Sequence, residues 1–118
     1  MAPNQNDLEA QFHQRMLRLH REAVAERLIG NESIFSRMVE THGGREAIKR
    51  LLRARNAQNG LLALRKRDRD GSRRYYQYSC EYVILNEREW RPLFTQRLLE
   101  EAYKRLHDLW PDVDFPEV

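Results

Sequence analysis

The residues with the chemistry to do more than fold are one cysteine, four histidines, a few paired acids and a dense run of arginines. Cys80 as a nucleophile would need a base within hydrogen-bond reach and a lowered pKa. No Cys–His signature surrounds it, and its neighbours alternate or pack, so it reads as a small core cysteine. His13 and His20 are seven apart, which puts them on one helix face but two turns distant. No cysteine or carboxylate completes a compact ligand set near them, and His42 and His107 stand alone. No metal site is expected. Gly43-Gly44 lacks the lysine and serine of a phosphate-cradling loop and reads as a helix break. Glu100-Glu101 and Asp112 with Asp114 have no apolar pocket residues beside them and read as solvated acids. A small chain without an acid/base constellation is expected not to be an enzyme and to need no cofactor.

The arginines are different. From Arg45 to Arg74 there are nine Arg and two Lys against three acids, a balance of +8 in a chain whose total is +3. From Glu100 to Val118 the balance is −4. Arg outnumbers Lys 18 to 3. Its planar fork suits bidentate contact with carboxylate or phosphate. Arg65, Lys66, Arg67, Arg69, Arg73 and Arg74 flank an Asp-Gly pair, and Tyr75 and Tyr76 follow. Cations of this kind contact phosphates, and the rings, Tyr78 included, are placed to stack on unpaired bases. These eight residues, 65–67, 69 and 73–76, are the candidate contact residues for a nucleic acid or another partner. No recognised nucleic-acid motif accompanies them. The plainer alternative is a solvated loop whose arginines pair with Asp68, Asp70 or the acidic chain end.

The elements that must position these residues read as helices. Leu8, Phe12, Met16, Leu19, Ala23 and Leu28 recur every three to five residues, which predicts a helix over 8–29, capped by Asn6 or Asp7 and closed at Gly30. Ser33 caps a short second helix whose apolar side is Ile34, Phe35, Met38 and Val39. Gly43-Gly44 breaks it, and a third helix over about 45–55 turns Ile48, Leu51 and Leu52 inward. Residues 56–60, ending in Asn-Gly, read as a turn. Leu61–Leu64 suits a short buried helix. Tyr76, Tyr78, Cys80, Tyr82 and Ile84 alternate with other residues as in a strand, and the Asp-Gly pair ahead of them could close a hairpin. The rival reading caps a helix at Ser79 and runs it through Leu85. Thr95 caps a last helix, about 96–110, with Leu99, Ala102, Tyr103, Leu106 and Leu109 as its stripe and Pro111 as its stop.

A mainly α fold follows: a bundle of four or five helices, with a short β-hairpin near 65–80 left open. Residues 1–6 are expected to be a disordered leader, 7–110 one helical domain, and 111–118 an exposed acidic tail. Phe12, Phe35, Leu51, Ile84, Leu93 and Leu106 are expected in the core. A single cysteine, no signal-peptide pattern and no apolar run of about 20 residues point to the cytoplasm and away from a membrane.

Phe35-Ser36-Arg37-Met38-Val39, Gly43-Gly44, Glu46 through Leu52, Gly60, Glu81 through Leu85 and Trp90 through Thr95 together resemble a small uncharacterised family of free-standing bacterial proteins, over residues 34–109. The family departs from this chain at Lys66–Arg74, where its link is shorter, and at the tyrosines. In the family the segment before the glutamate that matches Glu81 resembles an N-cap followed by a helix, which favours a helix from Ser79 with a short extended piece before it at most. The resemblance implies a setting in bacterial genome defence or its inhibition, and a small protein-interaction module with a protein partner. Nucleic-acid binding through 65–78 is the alternative. A structural subunit of a larger assembly is a third, favoured if Trp90, Leu93 and Trp110 form an uncovered apolar patch.

Overall fold

The first helix owes its start to Asn4, whose side-chain oxygen accepts the Asp7 N–H at 2.9 Å. That cap lies earlier than expected, so Gln5 and Asn6 belong to helix α1 (Gln5–Ala25) and not to a leader. The computed structural model describes residues 4–31, 33–54 and 59–118. Phe12, Met16, Leu19 and Ala23 follow the four-three-four spacing of one buried stripe. The helix ends before the expected Gly30. Arg27 takes the left-handed conformation at φ 58°, the Leu28 N–H reaches Ala23 O, and the Arg27 N–H reaches Val24 O, both at 2.9 Å. This pair of bonds closes a helix without any glycine.

Helix α2 (Ile34–His42) starts at Ser33, whose hydroxyl accepts the Ser36 N–H at 3.1 Å. Val39 is buried and Phe35 and Met38 are partly covered, but Ile34 is 73 % exposed, so the apolar side is narrower than expected. Helix α3 (Gly44–Arg53) follows at once and buries Ala47, Ile48 and Leu52. Gly44 is needed for contact: a Cβ there would sit 2.8 Å from the His13 Cα on α1. The same approach lets His13 Nδ1 accept the Gly44 N–H at 3.0 Å, which caps α3 from a neighbouring helix.

Helix α4 (Asn59–Arg67) begins at the Asn-Gly pair expected to turn; the rest of that turn, 56–58, lies outside the described residues, as does residue 55 of the expected third helix. No strand occurs among the described residues, so the hairpin near 65–80 is corrected. In its place a 3-10 turn (Tyr75–Tyr78) leads into helix α5 (Cys80–Asn86), capped by the Ser79 hydroxyl, which accepts the Tyr82 N–H at 3.1 Å. Five of the seven α5 residues are buried, Cys80, Glu81, Val83, Ile84 and Leu85, and Tyr76 is buried just before them. A second 3-10 segment (Arg88–Leu93) buries Trp90 and Leu93. Helix α6 (Gln96–Leu109) is capped by Thr95, which accepts the Leu98 N–H at 3.3 Å.

There are thus six α-helices among the described residues, against the four or five expected. α1 lies against α2 and α3, and α6 against α5 and α3. At the centre Phe12 meets Trp90 and Phe94 edge-on, with ring centroids 5.4 and 5.3 Å apart. Phe12, Ile84, Leu93 and Leu106 are buried as expected, while Phe35 and Leu51 are only half-buried. The radius of gyration, 13.6 Å, matches the roughly 13.5 Å of a compact chain of this length.

The chain end is not a free tail. Asp112, Asp114 and Glu117 are exposed, but Phe115 is buried and stands edge-on against Tyr76 at 5.1 Å. No helix among the described residues is long and apolar enough to cross a membrane.

Candidate functional site

Leu61, Leu64 and Asp68 continue one three-four stripe, and Asp68 is therefore carried inward at the end of α4. It is fully buried, between two exposed arginines. One carboxylate oxygen accepts the Arg73 N–H at 2.9 Å. The other accepts the Tyr75 N–H at 3.2 Å and the Trp110 Nε1–H at 3.0 Å. Burial pushes its pKa up, but these three donors and the nearby Arg65 outweigh burial and hold it below the usual carboxylate value. A carboxylate that accepts two amides five and seven residues ahead of it folds the intervening chain into a fixed loop. This latch is also why no hairpin forms: it fixes two amides of the segment in a non-ladder arrangement.

Inside that loop Asp70 accepts the Ser72 N–H at 3.0 Å and the Ser72 hydroxyl at 2.7 Å, a local turn that holds its carboxyl below the usual range. Gly71 has φ 77°, which an L side chain rarely tolerates, and Arg74 is driven to φ 58° just before the 3-10 turn.

The loop and the end of α4 enclose an open cleft of about 560 Å³, lined by Lys66, Arg67, Arg69, Asp70, Arg73 and Tyr75. Five of the eight expected contact residues therefore meet there. The other three do not. Arg65 lies over the Trp110 ring, its guanidinium carbon 5.7 Å from the centroid, and donates to Asp68 O, so it braces the latch. Arg74 is exposed but outside the lining. Tyr76 is buried among Tyr82, Trp110 and Phe115, so its ring is unavailable for stacking on a base.

The loop arginines are neutralised in part, since Arg65 and Arg73 lie within electrostatic reach of Asp68, and Arg73 also of Asp70. Among the described residues no ion pair links a carboxylate to Lys66, Arg67, Arg69, Arg73 or Arg74. Arg67 donates to Arg27 O at 2.8 Å, and Arg73 donates to the Tyr75 hydroxyl at 3.3 Å. The cleft thus gathers four cations and one acid, one of whose carboxylate oxygens is engaged by Ser72.

Several charges elsewhere are paired. A second cleft of about 360 Å³ beside the start of α3 holds Glu9 and Arg45, which pair with each other. Arg15 forks onto Glu87 at 2.9–3.1 Å, and Trp90 Nε1 donates to the same carboxylate. Arg105 is buried on α6 and donates to Leu51 O, Leu52 O and Ala54 O at 3.0–3.2 Å, which caps the end of α3, and to Glu101 at 3.0 Å. Cys80 is buried and its thiol donates to Glu81; burial, with Glu81 beside it, pushes the thiol pKa well up, which disfavours the reactive thiolate. No group of three metal-ligating side chains occurs among the described residues.

Sequence reasoning missed Asp68 and Trp110 as organisers of the loop. The signal was the register of Asp68 with Leu61 and Leu64. No family model, curated protein or solved structure matches this chain, so the bacterial resemblance stands on its quoted residues alone.

Proposed function

We propose that this chain is a small non-enzymatic interaction module that docks an anionic partner through the cleft of Lys66, Arg67, Arg69, Arg73 and Tyr75. The observation that supports this reading is four cations that no carboxylate pairs at salt-bridge distance, gathered at the end of α4 and on the loop that the Asp68 latch orders. Preordered contacts lose less entropy on binding than mobile ones. A cationic cleft also raises the rate of encounter with an acidic surface. The bacterial resemblance sets this docking in genome defence or its inhibition, inside the cytoplasm. The structural-subunit alternative loses its motive, because Trp90, Leu93 and Trp110 are buried within the fold.

Retention on immobilised heparin, a generic polyanion, tests the reading. The variant Lys66→Glu/Arg69→Glu/Arg73→Glu is expected to elute at much lower salt than the parent. A control, Arg21→Glu/Arg88→Glu/Arg97→Glu, carries the same net charge on exposed residues elsewhere and is expected to elute later than the cleft variant. Coincident elution of the two variants would assign retention to net charge and contradict the cleft.

A further inference from the structure

We propose that the ligand of this cleft is the phosphate backbone of a nucleic acid, held without base stacking; the inference rests on the docking reading above and narrows the anionic partner to one chemistry. The lining decides between phosphate and an acidic protein. Lys66, Arg67, Arg69, Asp70, Arg73 and Tyr75 include no aliphatic side chain. Protein interfaces take most of their affinity from a few Trp, Tyr or Arg anchors set in an apolar core depleted of charge, which a lining of four cations and one acid lacks. Nucleic-acid contacts are more polar and far more positive.

The donors are also arranged for an oxyanion. Arg73 donates to the Tyr75 oxygen, so that hydroxyl acts as acceptor toward the protein and keeps its own proton for a ligand. Asp70, the acid of the cleft, is turned onto Ser72. Of the rings in this region, Tyr76 and Trp110 are buried, and Tyr75, the one ring in the cleft lining, is held by Arg73 at its hydroxyl and packs edge-on against Tyr78 at 6.4 Å. What is left senses charge and not sequence. With four lining cations the contact spans three or four phosphates.

The test is fluorescence anisotropy with three probes: a labelled 16-mer duplex, one of its single strands, and poly-glutamate. The duplex is expected to bind at low salt with a log–log salt slope of about −3, unchanged when its sequence is scrambled. Arg69→Ala and Arg73→Ala are each expected to lower the slope by about one. The single strand is expected to bind no more tightly than the duplex, because the one lining ring, Tyr75, is already engaged by Arg73 and Tyr78. A single strand preferred tenfold or more would overturn the inference. Tight binding of poly-glutamate with no binding of either nucleic acid would also overturn it while leaving the docking reading intact. Failure of all three probes would overturn both.

Discussion

Asp68 lies between Arg67 and Arg69, yet its partners are two backbone amides and an indole. That choice follows from position: its neighbours on the chain face solvent while it continues the buried stripe of Leu61 and Leu64. Asp68→Asn replaces an acceptor with a donor opposite N–H groups, and is expected to cost about 2–4 kcal/mol in urea denaturation at neutral pH. The sign with pH is fixed. The folded pKa lies below the ordinary 3.8, so the contribution is complete above that value and is lost as pH falls through the folded value. Glu87, held below its ordinary 4.5 by Arg15 and Trp90 against its own burial, adds to the same acid loss. The gap between parent and Asp68→Asn should therefore close in strong acid. Leu106→Ala, at a fully buried site, is expected to cost about 2–5 kcal/mol by the same assay. The cationic candidates were legible as residues. The burial of Tyr76 was not, because its place is set by Phe115 and Trp110, which lie over thirty positions away in the chain.

At the scale of elements, helix starts were easier to read than helix ends. Ser33, Ser79 and Thr95 cap as their types suggest, since a cap needs only one local side-chain oxygen. Besides the starts of α1 and α4, two helix ends escaped. α1 closes at Arg27 in the left-handed conformation, a position that glycine suits better. Arg27→Gly is expected to raise stability by about 1 kcal/mol, measured as a higher midpoint in urea. The end of α3 is finished by Arg105 from a different helix, a long-range contact that no local pattern announces. Its position in the stripe of Ala102 and Leu106 was the available clue. Arg105→Met is expected to cost about 3–5 kcal/mol, because α3 loses its cap and buried Glu81, 3.8 Å away, loses its counter-charge. Adding Glu81→Gln should recover part of that loss, which a double-mutant cycle would measure.

At the scale of the molecule, a mainly helical body carries the basic loop as a fixed projection. The helical class was legible from periodicity. The hairpin reading failed because a side-chain acceptor captured the backbone donors that a ladder would have used. The acidic chain end was misread for a related reason: its charges do face water, but Phe115 pins it against Tyr76 and so supports the loop from behind. Loop order, more than charge, is what this architecture contributes to docking. Asp68→Asn and Asp70→Asn separate the two, since each removes one negative charge near the cleft. Affinity for heparin, measured by isothermal titration under conditions where both variants remain folded, is expected to fall for Asp68→Asn and to hold or rise for Asp70→Asn. Tighter binding by both variants would mean that charge alone governs the cleft, and would contradict the latch.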